Sequence, residues 1–408
     1  MLTAVLGLVL PIAGAYWGWK SFDDRRQAKR RAAFVDTRTW LNSNRGALTR
    51  RAQAFYPDEI HVADTTLIAD GDWLGNHPVD FEEVALEWTD QSPTPAITGQ
   101  DVHFRSLLPI SESGSRFKTY CGAVQELDAP ELFVDRPSYR LVGVGGIHAG
   151  KPKLKFSRTS YFEMLNVCEA LAFETAQDDP TRPGGSNGTA GRLRRHAGDL
   201  LDLGRRPVLP SINTLTLRKD ADGSASYFLH LRGSKAVSTA SGLYHVIPAG
   251  VFQPASRSPG GFLSDLDLWR STMREYSEEM LGSPEITGDE GMTIDYAETE
   301  PFKSLVAARA EGRIRPFFFG LALDPLTPAG EFLTTVVFDH DAFDEIFGPK
   351  LVKTNDEGRL IGVQSGAQLL GLPFTQAAID ETVRGHEVAA AAQGCLQLSM
   401  KHREELLA

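Results

Sequence analysis

Cysteine is scarce in this chain. Three stand in 408 residues, Cys121, Cys168 and Cys395, far apart and with no C-x-x-C pair. That excludes a disulfide framework and a thiolate zinc site, and it fits a reducing cytosol. Positive charge is not in excess either: 42 Lys and Arg face 53 Asp and Glu, a net charge of −11. A protein that binds duplex nucleic acid by neutralising phosphates is thereby excluded as a whole-chain reading. No compositional bias toward disorder exists, since 42% of residues are hydrophobic, 9% aromatic and 23% charged, as in globular chains. The length suits about two to three folded units.

Long runs that lack charged residues and also Ser, Asn, Gln and His are absent with one exception. Residues 1–19 (MLTAVLGLVLPIAGAYWGW) carry no charged side chain and as a helix would reach about 28 Å, close to the hydrocarbon thickness of a bilayer. Only Met1 and Leu2 precede the apolar stretch, so it lacks the basic leader of a cleaved signal peptide. The expectation is a retained transmembrane helix at 1–19. Tyr16, Trp17 and Trp19 suit the membrane interface, and Lys20, Arg25, Arg26, Lys29, Arg30 and Arg31 follow. The positive-inside rule then places a single-pass protein in the cytoplasmic membrane with its bulk in the cytoplasm.

Residues 20–55, rich in Arg and Ala, read as a basic juxtamembrane helical stalk with solvated charges. Residues 56–177 form an α+β region that matches no fold pattern. Its strand-like pieces are Phe81–Trp88 and Tyr139–Val144, and a helix starts near Ser160, where Ser160 and Glu163 have capping-box spacing. The Pro-, Gly- and Ser-rich stretch from Asp178 to Gly191 makes 178–204 a linker. From 205 to 408, apolar runs at Ile212–Leu217, Tyr227–Leu231, Leu243–Ile247, Phe317–Leu323 and Phe332–Phe338 alternate with helical segments near Ser304–Ala310 and from Gln376 onward, which predicts a mixed α/β domain. Asp222-Gly223 between the first two runs predicts a hairpin.

The segment LSDLDLWRSTMREYSEEMLGSP, residues 263–284, carries the chemistry. Ser264 can cap a helix start, Asp265 and Asp267 favour its positive end, and Gly282 with Pro284 ends it. At 100° per residue Leu266, Trp269, Met273, Tyr276 and Met280 share one side, while Glu275, Glu278 and Glu279 fall on another. Three carboxylates at i, i+3 and i+4 repel one another, with Arg274 as the local counter-charge. A divalent cation with oxygen ligands would relieve that repulsion. The plainer alternative is the solvated acidic face of an amphipathic helix.

Arg274-Glu275-Tyr276-Ser277-Glu278-Glu279 resembles the R-E-hydrophobic-x-E-E heart of the Nudix box, and Tyr244-His245-Val246-Ile247-Pro248-Ala249-Gly250 resembles the strand ending in Pro-Gly-Gly that precedes it in that family. The resemblance implies an α/β/α sandwich with a mixed sheet over roughly 205–350. It further implies that Glu275, Glu278 and Glu279 ligate Mg2+ or Mn2+, that Arg274 holds the glutamates, and that the Ala249 or Gly250 carbonyl completes the shell. The reaction implied is attack of metal-activated water on a nucleoside-linked diphosphate. The chain departs from the family at two points. From Gly250 it is 24 positions to Arg274 where the family has 14, an insertion within Val251–Gly261 that leaves Leu266 at the box's first glutamate. The terminal glycine is displaced too, with Leu281 in its place and Gly282 after it.

Three functional readings follow from different weights on these features. One is a membrane-anchored hydrolase of a nucleoside-diphosphate derivative. The alternative is a non-hydrolytic sensor of a nucleotide second messenger, with the single span as effector segment and as a route to homo-oligomers; that organisation is similar to Nudix domains associated with bacterial cyclic-oligonucleotide anti-phage systems. A membrane-anchored interaction protein with a degenerate site is the third. Other signals carry less. Gly145–Lys151 has a phosphate-loop skeleton, but Pro152 stands where a hydroxyl is needed, so it reads as a turn. Gly184–Gly188 spells G-x-S-x-G inside the linker, Asp339-His340-Asp341 reads as a strand end, and Arg192, Arg194, Arg195, Arg205 and Arg206 read as solvated charge.

Overall fold

The computed structural model describes residues 24–131, 133–185, 191–233, 242–256, 259–284, 294–355, 358–365 and 368–408. The expected span at 1–19 lies outside them. Among the described residues no helix is long and apolar enough to cross a membrane.

The fold is mixed α/β with mixed sheets. Its central sheet runs in the order Leu74–Asp80, Ile314–Leu323, Gly330–Asp339, Pro210–Lys219, Ala225–Tyr227, Leu372–Pro373, with Ala249–Val251 also paired to Pro210–Lys219. Gly330–Asp339 and Pro210–Lys219 are parallel in continuous register from Gly330↔Pro210 to Asp339↔Lys219, and the other pairs are antiparallel. The middles of these two strands are buried on both faces because helices cover both. On one face Thr216 is hydrogen-bonded with the Tyr276 hydroxyl at 2.8 Å. On the other Thr335, the partner of Leu215 in the ladder, is hydrogen-bonded with Ser399 of the Ala390–Lys401 helix. The expected hairpin is present, with Leu217 opposite Tyr227 and Gly223 at φ +82°.

A three-stranded sheet, Ala85–Trp88 parallel to Lys153–Ser160 and that strand antiparallel to Pro137–Gly145, packs on the same core. Gly145–Lys151 is its turn, closed by the Lys151 N–H donating to the Gly146 carbonyl at 2.9 Å. Of the expected strand Phe81–Trp88, only Ala85–Trp88 is extended. Asp80 and Glu83 form a capping box that winds Phe81–Glu83 into a helical turn. The Tyr161–Gln177 helix starts at Ser160, and its capping box with Glu163 is present.

The stretches before and after 178–204 share a sheet and a core: Leu74–Asp80 pairs with Ile314–Leu323, and Trp73, Tyr139 and Phe156 pack in the same cluster as Phe252, Phe262 and Phe332. Three expectations need correction. The Arg-rich stalk packs against the body. Residues 24–43 and Arg45–Gln53 are helices that bury Phe34, Leu41, Leu48 and Ala52, and Arg38 and Arg45 are buried in ion pairs with Asp128 at 2.7 Å and Glu169 at 3.0 Å. Apolar residues at helical spacing, interleaved with the arginines, produce that packed face. Arg194 and Arg206 are likewise buried, donating to the Pro325 and Leu326 carbonyls and to the Leu200 and Pro328 carbonyls. Guanidinium forks can satisfy several carbonyls at once, which offsets their burial. Finally, Ser264 ends a short helix, Pro259–Ser264, instead of starting the long one; Asp267 caps Leu268–Glu275 by accepting from the Arg270 N–H at 2.8 Å.

Candidate functional site

The Leu268–Glu275 helix continues through Tyr276–Met280 as one wider π turn and stops at Gly282, φ +67°. Trp269, Met273, Tyr276 and Met280 are buried, as the apolar stripe requires. Tyr276 sets the rotation of the helix. Its ring meets Phe338 edge-on at 5.4 Å between centroids, and its hydroxyl is held by Thr216. With that side fastened to the sheet, Glu275, Glu278 and Glu279 face a cavity of about 720 Å³, which Ala249 and Gly250 also line. π turns widen the helix by one residue and occur often at functional sites.

The edge strand Ala249–Val251 holds Glu279 and lies close against Glu275. The Ala249 N–H donates to Glu279 at 3.1 Å. Arg232 closes the arrangement: its guanidinium donates to the Ala249 carbonyl at 2.8 Å and stands 3.6 Å from the other Glu279 oxygen. Glu279 is buried, while Glu275 and Glu278 are half-buried. Glu275 lies against Gly250, where a Cβ would collide with its carboxylate. Arg274 is buried and turned toward the inserted segment. It donates to the Tyr296 hydroxyl and to the Gln253 carbonyl, both at 2.7 Å, and pairs with Asp265 at 3.7 Å. Asp265 accepts in turn from the Ala255 and Ser256 N–H groups. Arg274 and Asp265 thus fix the start of the insertion against the glutamate helix.

An all-oxygen set of carboxylates and backbone carbonyls is the donor chemistry of Mg2+ or Mn2+, and the space left by the missing Cβ of Gly250 is filled by one of those carboxylates. Among the described residues the three carboxylates do not gather as a trio within 4.8 Å. Mg2+ retains several waters, so one or two carboxylates suffice to hold it.

Comparison with known proteins adds little. No protein-family model matches the chain, and no curated protein does. The structure is similar to the crystal structure of a NUDIX hydrolase from Alicyclobacillus acidocaldarius, at a TM-score of 0.25 and 14% identity, covering 48% of this chain and 96% of that one. A likeness of that size decides neither fold nor function.

The cavity brings in residues that the sequence analysis did not single out. Arg45, Arg50 and Glu169 come from the first half of the chain, and Asn213, Arg232 and Glu331 from the strands of the second. Burial, with Asp324 as a like-charged neighbour, pushes the Glu331 carboxyl up to about 8, against the hydrogen bond from Asn213 at 2.8 Å. Opposite each other on paired strands, His230 and His245 are held neutral. Burial and the nearby Arg232 charge push them down to about 4 and about 3. Asn213 inside the apolar run Ile212–Leu217 and His245 inside Leu243–Ile247 were the visible signals, since a polar residue in a buried strand needs a partner.

Proposed function

We propose that the cavity binds a nucleoside-diphosphate-linked ligand in a Nudix-like α/β/α domain, with Mg2+ or Mn2+ held by Glu275, Glu278 and Glu279 and completed by the Ala249 or Gly250 carbonyl, and that the chain hydrolyses that ligand. The observation that carries this reading is that Glu279 is hydrogen-bonded to Ala249 while Glu275 lies against the next residue of the same edge strand, Gly250. The cation, when bound, supplies charge neutralisation at the phosphates and acidifies a bound water. The chain's own residues do the rest. Arg45, Arg50, Arg136 and Arg232 line the cavity and offer donors to phosphate oxygens. Glu331, whose carboxyl burial pushes up to about 8, accepts from the Asn213 amide at Oε2.

One observation favours the sensor alternative. Arg45, Gly46, Thr49 and Arg50 line the cavity from the Arg45–Gln53 helix, which follows directly on the 24–43 helix and, through it, on the apolar segment 1–19. A ligand in the cavity therefore touches the element that leads to the proposed anchor.

The test is incubation of residues 20–408 with Mg2+ or Mn2+ and a panel of nucleoside diphosphates, nucleotide sugars, dinucleotides and cyclic oligonucleotides, read for cleavage and for thermal shift. Cleavage that Glu278→Gln abolishes supports the hydrolase. A shift without cleavage supports the sensor, because a ligand that binds only the folded state stabilises it. Neither response across the panel rejects the nucleotide site.

A further inference from the structure

We infer that His77, His402 and Glu405 form a binding site for a first-row divalent cation of the zinc type, apart from the glutamate cavity, which fastens the end of the chain's last helices to the edge of the central sheet.

The three residues come from elements far apart in sequence. His77 sits on Leu74–Asp80, the outermost strand of the central sheet. His402 joins the Ala390–Lys401 and Arg403–Leu407 helices, and Glu405 lies one turn further on. The His77 Nδ1 is 3.0 Å from both Glu405 oxygens, and the His402 Nδ1 is 3.1 Å from one of them. All three ligand atoms lie within 4.8 Å of one another, the one such group among the described residues.

These separations suit a tetrahedral cation. Bonds of about 2.0–2.1 Å set tetrahedral donors roughly 3.3 Å apart, so binding requires shifts of only a few tenths of an ångström between the imidazoles and the carboxylate. His402 is 6% exposed and its backbone N–H is bonded to the Leu398 carbonyl. Burial beside the Phe319 ring, 6.0 Å away between centroids, holds the His402 ring in place before any ion arrives, while His77 and Glu405 are exposed and open to entry. Two imidazoles and one carboxylate select Zn2+ over Mg2+. Three protein ligands leave a position for water on the open side.

The site can be read independently of the nucleotide proposal. The full chain, stripped with EDTA and returned to buffer with excess Mg2+, is titrated with Zn2+ by calorimetry, with metal counted after dialysis. The expected result is one Zn2+ per chain, a raised melting temperature on binding, and an affinity about tenfold or more weaker in His77→Ala. His77 is exposed, so that variant should melt with the wild type in EDTA, and Glu278→Gln should bind Zn2+ as the wild type does. No uptake by the wild type, undiminished uptake by His77→Ala, or uptake lost in Glu278→Gln instead would each overturn the inference.

Discussion

The carboxylate of Glu275 occupies the space that a side chain at Gly250 would fill: a Cβ there would meet Cδ and both carboxylate oxygens. The helix and the edge strand can approach this closely only because residue 250 is glycine. Gly250→Ala would push aside the free end of a side chain rather than backbone, so its cost in stability should be small. Its cost at the site should be large, with Mg2+-dependent ligand response falling on the order of tenfold or more. Parallel denaturant melts and ligand titrations of the variant check this, and equal losses in both would reject it.

Arg232 binds the Ala249 carbonyl and faces the buried Glu279. Replacing it by Met leaves that carboxylate without its counter-charge, an effect worth about 3 kcal/mol for a buried pair. Urea unfolding should show this loss, and adding Glu279→Gln should recover part of it. Additive effects of the two substitutions would show that the charges do not interact.

Arg45 and Glu169, each about 5% exposed in their side chains and 3.0 Å apart, join the N-terminal helices to the body beside the cavity. Arg45→Met should destabilise the chain by about 3–5 kcal/mol, whereas exposed Arg50 with Glu387, at 3.1 Å, should contribute about 0–1 kcal/mol. Chemical denaturation of Arg45→Met and Arg50→Met separates the two cases.

Stability should also depend on pH through groups in and beside the cavity. Glu331 is raised in the folded chain to about 8, so the folded state binds the extra proton. Stability from this group is present below the ordinary carboxylate range and is lost as pH rises toward 8. His245 and His230 are depressed to about 3 and about 4. Their contribution is present above about 6.5 and is lost as pH falls. Across pH 4 to 9, melting temperatures of Glu331→Gln should lose the decline that Glu331 contributes between about pH 4.5 and 8, and an unchanged profile would remove Glu331 as the source.

Local physics explains what was legible from the chain alone. The Ser160–Glu163 capping box, the Asp222-Gly223 turn and the stripe through Trp269, Met273, Tyr276 and Met280 depend on residues a few positions apart, whose geometry follows from helical and strand periods. The placement of Glu275, Glu278 and Glu279 on one side of a helix was legible for the same reason. The cap is an instructive exception: Ser264 and Asp267 are both competent, and in the fold Ser264 ends the preceding short helix while Asp267 takes the cap.

Tertiary structure decided which distant groups meet. Nothing within the segment around Arg274 says that it binds Tyr296 and Gln253, or that Arg232 reaches Glu279, or that Leu74–Asp80 borders Ile314–Leu323. Those contacts gain free energy only after the loops between them have closed and their surroundings are dry, so no local pattern encodes them. The stalk arginines make the same point. Sequence determined that residues 24–53 would be helical and basic; only packing against the rest of the chain buried Arg38 and Arg45 and gave each a carboxylate.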